Sequence, residues 1–156
     1  MTRRNMAKDG IRGQAMVEFA LIVPVFILLL VGLFDVGRAV YAYNTVNNAA
    51  REAGRVAIVD QFEDHIRSEG AGAATGLGIA ADDVLVEFQE ANGATCTAVG
   101  SASVVRCVAV VTIPYDYQAA TPIVGNLLGT IAIIGQSRFP ISVNCATSTC
   151  PLGSQP

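Results

Sequence analysis

Apolar residues fill one stretch near the N-terminus without interruption. From Ala15 to Phe34 every residue is apolar, glycine or proline except Glu18. A helix of that length rises about 30 Å, which is the thickness of the hydrocarbon core of a bilayer. We therefore expect residues 15–34 to span a membrane.

The helical spacing continues beyond this span. Apolar residues recur at intervals of three and four from Val36 to Ala57, with polar residues largely between them. The pattern predicts one long helix over residues 14–59. Pro24 lies inside it, removes one backbone hydrogen bond and is expected to kink the helix.

The outer half of this helix carries charged and small side chains on one face. Ion pairs are expected between Asp35 and Arg38 and between Glu52 and Arg55, each worth about 0.2–0.5 kcal/mol when exposed. The run "NNAAREAG", residues 47–54, is rich in small side chains that would let another helix approach closely. This face is therefore either solvated or turned toward another subunit, and the sequence does not separate the two.

The rest of the chain predicts a small exported α+β head over residues 60–144, followed by a tail, residues 145–156. A weak helix after Asp60 is expected to bury Phe62, Ile66 and Ala73. A turn at "PYDYQ" and a short helix capped by Thr121 are expected between the last two strands. The predicted strands are Val84–Phe88, Val104–Ile113 and Thr130–Asn144.

The alternation within these strands predicts which side chains face inward. A three- or four-stranded antiparallel sheet would pack on the outer half of the long helix, because so small a head has a thin core of its own. Pro140 marks the last strand as an edge strand or a bulge. The expected inward residues are Val84, Val86 and Phe88, then Val105, Cys107, Ala109, Val111 and Ile113, and finally Phe139, Ile141 and Val143.

Charge around the span predicts its orientation. Residues 1–13 form a basic leader in which four cations are opposed only by Asp9, whereas the charges just after the span cancel. The positive-inside rule places this leader in the cytoplasm and exports the rest of the chain. The four cations are Arg3, Arg4, Lys8 and Arg12.

All four cysteines lie in the exported part, where an even number suggests disulfides. They are Cys96, Cys107, Cys145 and Cys150. Of three possible connectivities, we favour the nearest-neighbour pairing, Cys96–Cys107 with Cys145–Cys150.

The remaining composition argues against an enzyme, a cofactor and nucleic-acid binding. The net charge is −3, and no basic patch with interleaved aromatics occurs after the leader. The glycine motif "GLGIAA", residues 76–81, precedes a strand and so fails the dinucleotide-binding context. The cysteine spacings fit no zinc pattern, and His65 is expected to be a solvated surface residue. We expect no catalytic residue, no metal and no cofactor.

Glu18 is the single charge within the span. A carboxylate at the centre of a bilayer costs about 2.5–3.5 kcal/mol and less near an end, so Glu18 alone suggests a snorkelling interfacial group. Its spacing from Gly13 suggests more: a cut after Gly13 would make Glu18 the fifth residue of the mature chain. The new α-amino group of a neighbouring subunit would then pair with it inside the bilayer, coupling helix assembly to charge neutralisation.

The order of basic leader, Gly13, Gln14, Glu18, Phe19 and apolar span resembles that of type IV pilin-like proteins. The stretch "GQAMVEFALIVPVFILLLVGLFDVGRAVYAYNTVNNAAREAGR" is similar to the TadE-like pseudopilins of tight-adherence (Tad) pilus machinery. The resemblance covers residues 13–55 and is weaker but recognisable over "VAVVTIPYDYQAATPIVGNLLG".

This resemblance implies a type IV pilin-like architecture and a structural role. The chain would be cleaved after Gly13 by a prepilin peptidase and would act as a pseudopilin or minor pilin in assembling or initiating a pilus. Its partners would be the bilayer, other pilin or pseudopilin subunits and Tad inner-membrane assembly components. It would reside in the bacterial cytoplasmic membrane or in the pilus. The chain is longer than the major pilins of these systems and lacks the Asp-x-Ser-x-Ser adhesion motif of larger relatives.

Two other functions compete with this interpretation. In the first, the chain is a permanently anchored exported domain that binds a partner or senses something at the cell surface and never enters a filament. A secreted protein released near Val40-Tyr41-Ala42 fits less well, because the apolar run is too long for a signal peptide.

Overall fold

A computed structural model describes residues 7–96, 106–121, 125–126, 129–143 and 145, with side chains placed from Gly13 onward. The predicted α+β architecture is confirmed: a long N-terminal helix precedes a small antiparallel sheet. In chain order the elements are α1 (Ala7–Ala57), α2 (Glu63–Ala73), a short 3-10 turn (Ala81–Asp83), β1 (Leu85–Gln89), β2 (Val108–Gln118) and β3 (Thr130–Pro140).

Helix α1 is continuous over 51 residues and begins seven residues before the predicted start at Gln14. Pro24 lies within it. The most apolar 18-residue window has a mean hydropathy of 2.8, and none of that window is buried. By length and composition, this helix can cross a membrane as a single span.

The sheet has the order β1-β2-β3, with β2 in the centre and both pairings antiparallel. Strand β2 continues through Pro114 to Gln118, so the predicted turn at "PYDYQ" is wrong. Strand β1 pairs only as far as Thr112, which leaves one side of β2 without a partner strand beyond that point. A proline without an N–H group is tolerated on such an open side.

One face of the sheet packs against the outer half of α1. The predicted inward residues of β2 are confirmed from Cys107 to Ile113, while Val105 lies outside the described residues. Tyr117 continues the same face and is buried. The helix supplies a matching row of small side chains, all nearly inaccessible: Ala42, Val46, Ala49, Ala50, Ala53 and Ala57.

The last strand differs from its prediction at its end. Phe139 and Ile141 are half-buried and buried, but Val143 is 52% exposed rather than inward. Strand β3 ends at Pro140, and the backbone N–H groups of Ser142 and Val143 both donate to the carbonyl of Ile58. These bonds turn the chain onto the end of α1, so the alternation stops. The position of β3 at the sheet edge is confirmed.

The small residues of the run at 47–54 pack within the chain itself. A Cβ atom added at Gly54 would lie 2.5 Å from Ser137 Oγ, and Ser137 Oγ donates to the carbonyl of Ala50 at 2.5 Å. The small side chains of this run thus face the head of the same chain, not solvent or another subunit. The charged residues of this part of the helix do face solvent, and the predicted pair between Arg55 and Glu52 is confirmed at 3.3 Å.

The predicted solvated histidine is wrong. His65 Nδ1 lies 2.6 Å from Oδ2 of Asp60, whose side chain is fully buried, and the imidazole meets the edge of the Phe62 ring. Asp60 Oδ1 also accepts the N–H of Phe62. Aspartate commonly bonds the backbone two residues on, and here that bond sets the turn from α1 into α2.

A disulfide joins Cys96 and Cys107, as the nearest-neighbour pairing predicts, with their Cα atoms 6.0 Å apart. It connects the segment after β1 to the start of β2. The second predicted pairing, Cys145–Cys150, includes a residue outside the described part of the chain. Cys145 itself is held to the end of α1, since its N–H donates to Gln61 Oε1 and its carbonyl accepts from the Gln61 N–H.

Candidate functional site

The predicted cleavage bond, Gly13–Gln14, lies within helix α1 and far from the head. Every side chain from Gly13 to Ile22 is exposed, and a Cβ atom placed on Gly13 would meet nothing within 4 Å. A glycine inside a helix lowers its stability by about 1 kcal/mol, because glycine loses more conformational freedom than alanine. The bond is therefore accessible, at a point where the helix is intrinsically weak.

Glu18 lies one helical turn after this bond, among exposed apolar side chains. Its Oε1 accepts a hydrogen bond from Gln14 Nε2 at 3.2 Å. The carboxylate therefore reaches back to the residue that would carry the new α-amino group after cleavage. Phe19 beside it is 69% exposed. Cleavage site and motif residues thus share one free end of α1, and no described residue of the head contacts them.

Beyond the predicted span, one face of α1 stays both apolar and exposed. Val36, Val40 and Tyr43 are 60%, 53% and 56% exposed. In the sequence these three residues belong to the same apolar series as the buried residues of α1, because all recur at intervals of three and four. In the structure the buried face of the helix runs through Ala42 and Val46 instead. Small side chains on that face let the sheet approach α1, and the larger apolar side chains were left on the opposite face.

Asp35 fastens the head to α1 at the point where the apolar run ends. Its Oδ1 accepts the backbone N–H of Ala120 at 3.0 Å, and its Oδ2 accepts the hydroxyl of Thr121. The Tyr117 hydroxyl donates to the backbone carbonyl of Asp35 at 2.8 Å. We call this set, Asp35 with Tyr117, Ala120 and Thr121, the Asp35 bracket.

The sequence predicted a different role for Asp35, an exposed ion pair with Arg38. The residue is only 5% exposed, and among the described residues it forms no ion pair. The Thr121 hydroxyl donates to Asp35, and the N–H groups that Thr121 is predicted to cap lie outside the described residues, as does most of the predicted short helix. The sequence does contain one signal for the bracket: a carboxylate stands directly after twenty membrane-compatible residues. If such a carboxylate is buried it needs hydrogen-bond donors, so a contact with another part of the chain could have been expected.

The bracket favours the ionised form of Asp35. The hydrogen bond from the Thr121 hydroxyl is the main reason why the pKa of this carboxyl is lowered. Burial opposes the shift, and the hydrogen bond from the Ala120 N–H adds to it. The folded pKa is thus below the unfolded value, so the bracket stabilises the fold above that unfolded value, about pH 4. This stabilisation is lost as the pH falls through the folded pKa.

We expect Asp35→Asn to lower the unfolding temperature at pH 7, because the amide accepts weaker hydrogen bonds than the carboxylate. The difference from the unmodified chain should shrink as the pH falls below about 4 and then through the lowered folded pKa, because the native carboxyl itself becomes protonated. Circular dichroism of the chain in detergent micelles would measure both. Asp116→Asn, at an exposed position of β2, is the matched control. A deficit that stays constant from pH 7 to pH 3 would contradict the role of the charge.

Two concavities lie on the described part of the head. A shallow concavity of about 490 Å³ lies between α2 and β1, lined by residues that include Gln61, Val86 and Gln89. A second, of about 380 Å³, lies beside the Asp35 bracket. Within the part of the chain that the structure describes, no three metal-ligating side chains lie together.

Comparison with known proteins places the motif residues in a family. The family model described as TadE-like protein matches residues 13–55, which contain the cleavage bond, Glu18 and Asp35. No curated protein and no solved structure matches the chain. Residues 13–55 are therefore similar to TadE-like proteins, and the head from residue 56 onward lies outside the match.

Proposed function

We propose, from the TadE-like identity of residues 13–55, that this chain is a structural, non-enzymatic pseudopilin or minor pilin. It takes part in assembling or initiating a Tad-type pilus after its leader is cleaved between Gly13 and Gln14. The observation that supports the proposal is the position of Glu18. Its carboxylate is exposed on the apolar end of α1 that the head does not cover, five residues beyond Gly13 and within the family-matched segment.

The reasoning starts from the energy of this carboxylate in a membrane. A lone charge inside the hydrocarbon region is unfavourable, and intramembrane ionisable residues accordingly face partners. Among the described residues, the hydrogen bond that Glu18 makes is with the uncharged amide of Gln14. A neighbouring subunit whose chain begins at Gln14 would bring an α-ammonium group to the same depth, and pairing would remove the penalty for both charges.

The helix also offers a surface for such a neighbour outside the membrane. The head occupies one face of α1 through the bracket and the small residues, while Val36, Val40 and Tyr43 stay exposed on another. Gly37 stands between them with open space around its Cα. Small residues let two helices approach closely, so this face supports subunit packing that continues from the span.

The proposal names partners and a location. The partners are the bilayer, a prepilin peptidase, other pilin or pseudopilin subunits and the inner-membrane components of a Tad apparatus. The helix would cross the bacterial cytoplasmic membrane once, with the leader in the cytoplasm and the head outside. The competing function is a permanently anchored binding or sensing domain that keeps its leader.

We expect the mature protein from native membranes to begin at Gln14, because the peptidase would remove residues 1–13. Intact mass and N-terminal sequencing would measure this. Gly13→Leu should block the cut, since a leucine side chain fills the space that glycine leaves beside the scissile bond. Gly10→Leu, three residues upstream, is the matched control and should be processed normally. A chain that starts at Met1 in the presence of the cognate peptidase would overturn the proposal and favour the permanent anchor.

A further inference from the structure

The lower end of the head lies beside the residue at which α1 leaves the predicted span. Asp35 directly follows Phe34, the last residue of the apolar run, and it binds Ala120 and Thr121. These residues open the connection between β2 and β3. We call the described residues of this connection together with the first two residues of β3, 119–121, 125–126 and 129–131, the head base. Because the bracket fixes it to Asp35, the head base lies at the height of the bilayer surface.

The composition of this connection differs from that of the other connections in the head. Residues 117–137 contain no Asp, Glu, Lys, Arg or His. The segments at the far end of the head carry charges, as in "VDQFEDH" and "FQEANG". The head base is nevertheless accessible: Ala120, Asn126 and Thr130 are exposed, and Ile131 is 41% exposed. The uncharged range includes the end of β2, the whole connection of eleven residues, 119–129, and the first eight residues of β3. A water-facing loop has no physical reason to exclude charge, whereas a surface in contact with lipid has one.

The backbone of the head base is also suited to a partly apolar environment. The Gly125 N–H donates to the Thr121 carbonyl at 2.8 Å, and the Gly129 N–H donates to the Gly125 carbonyl at 2.8 Å. Both are helical bonds between residues four apart. Such local bonds let a segment enter a partly apolar environment without leaving these backbone groups unpaired.

Helix α1 adds matching side chains at the same height. Val36 is exposed and lies about 3 Å beyond Phe34 at 1.5 Å per residue, while Val40, about 9 Å beyond Phe34, lies just past the headgroup layer. The headgroup layer extends about 5–8 Å beyond each side of the hydrocarbon core. Arg38 lies between these valines, is exposed and forms no ion pair with any described residue. Its guanidinium is therefore placed to bind a lipid phosphate.

We propose that the head base is a second membrane contact and that its occupant is the phospholipid headgroup layer of the leaflet from which α1 emerges. The head base and Arg38 rest in that layer, so the head docks on the bilayer instead of standing away from it. The inference needs the membrane span but not the pilus role. The test uses only protein and lipid, so failure of the pilin proposal would leave it untouched.

The absence of tryptophan from the chain makes a direct test possible, because a single introduced tryptophan is the only one that fluoresces. We would place Asn126→Trp in the full-length chain, in nanodiscs whose phospholipids are brominated near the headgroup. Leu85→Trp is the control: Leu85 is exposed and pairs with Thr112, six residues along β2 from Gln118 and so about 20 Å higher. We expect at least about twofold quenching in the Asn126→Trp chain and none in the control. Equal emission with and without bromine in both variants would overturn the proposal.

Because tryptophan itself prefers the membrane interface, a second measurement uses the unmodified chain. A water-soluble paramagnetic chelate broadens the amide signals of exposed residues in nanodiscs. The Asn126 and Ile131 amides should be protected relative to the Leu85 amide, by at least about twofold in relaxation enhancement. Equal broadening at the three amides would refute the contact, whatever the tryptophan variants show.

Discussion

Changing Glu18 to alanine should leave cleavage after Gly13 intact while reducing pilus assembly by more than about tenfold. Breaking one partner out of a buried ion pair costs about 3–5 kcal/mol, because the remaining charge is left uncompensated. In the proposed assembly that remaining charge is the α-ammonium group of the neighbouring subunit. Each 1.4 kcal/mol is a factor of about ten in association, so even half of this effect would be visible. The readouts are the N-terminal residue of the chain and the number of pili per cell.

The structure makes this variant easy to interpret. Glu18 contacts no described residue of the head, and its only hydrogen bond is to Gln14, so the head should fold as before. Insertion should improve, since alanine removes a charge from the span. A loss of assembly would therefore reflect neither misfolding nor failed insertion. Glu52→Ala is the control, because Glu52 lies on the same helix outside the membrane and pairs only with Arg55. Unchanged pilus numbers in Glu18→Ala would show that the intersubunit pairing is wrong.

The long helix and the sheet were predictable because their patterns are strong and local. Twenty nearly uniform apolar residues followed by spacing of three and four have few other solutions than one helix. The wholly apolar face of β2 likewise predicted an inward strand face, which the structure confirms from Cys107 to Ile113. Pro140 predicted an edge position for β3, also confirmed.

The wrong predictions all depended on contacts between distant parts of the chain. Pro114 read as the start of a turn, yet it is tolerated inside β2 because β1 is too short to reach it. His65 was predicted to be solvated, because the surrounding sequence does not show that its partner, Asp60, is buried. Asp35 binds Ala120 and Thr121, eighty-five and eighty-six residues away, and no local rule relates them.

The residues of the candidate site also divide into those predicted from the sequence and those visible only in the fold. Gly13, Gln14, Glu18 and Phe19 were found from spacing and resemblance alone, and their processing and assembly roles remain predictions. The structure adds that the head leaves this end of α1 uncovered. The Asp35 bracket, in contrast, became visible only through the fold, because its donors are a backbone N–H, a threonine and a tyrosine that carry no motif.

Replacing Gly135 by alanine should destabilise the head by about 3 kcal/mol and lower its unfolding temperature by more than about 10 °C. Gly135 lies on β3 where the strand crosses α1. A Cβ atom there would lie 2.6 Å from the carbonyl oxygen of Val46 and 2.8 Å from its carbonyl carbon. Both are backbone atoms of a continuous helix, so they cannot move aside as the end of a side chain would. The strand and the helix would have to separate, exposing Ala50 and Ser137.

The control for this variant has the opposite expected sign. Gly72 lies within α2, and a Cβ atom there meets nothing within 4 Å, so Gly72→Ala should stabilise the head by about 0.5–1 kcal/mol through reduced backbone entropy. Urea unfolding in detergent micelles, followed by tyrosine fluorescence, would measure both changes. A Gly135→Ala chain as stable as the native one would contradict the close approach of β3 to α1.

Gly135→Ala and Glu18→Ala should also fail in opposite ways, which separates the two halves of the molecule. The Gly135 variant should keep its span and its proposed cleavage at Gly13, because the proposed topology places the leader on the opposite side of the membrane from the head. Its head should become sensitive to protease. The Glu18 variant should keep a protease-resistant head and lose assembly. If both variants lost cleavage, the head would be influencing the leader across the membrane. It would then be wrong to describe the end of α1 that carries the proposed function as independent of the head.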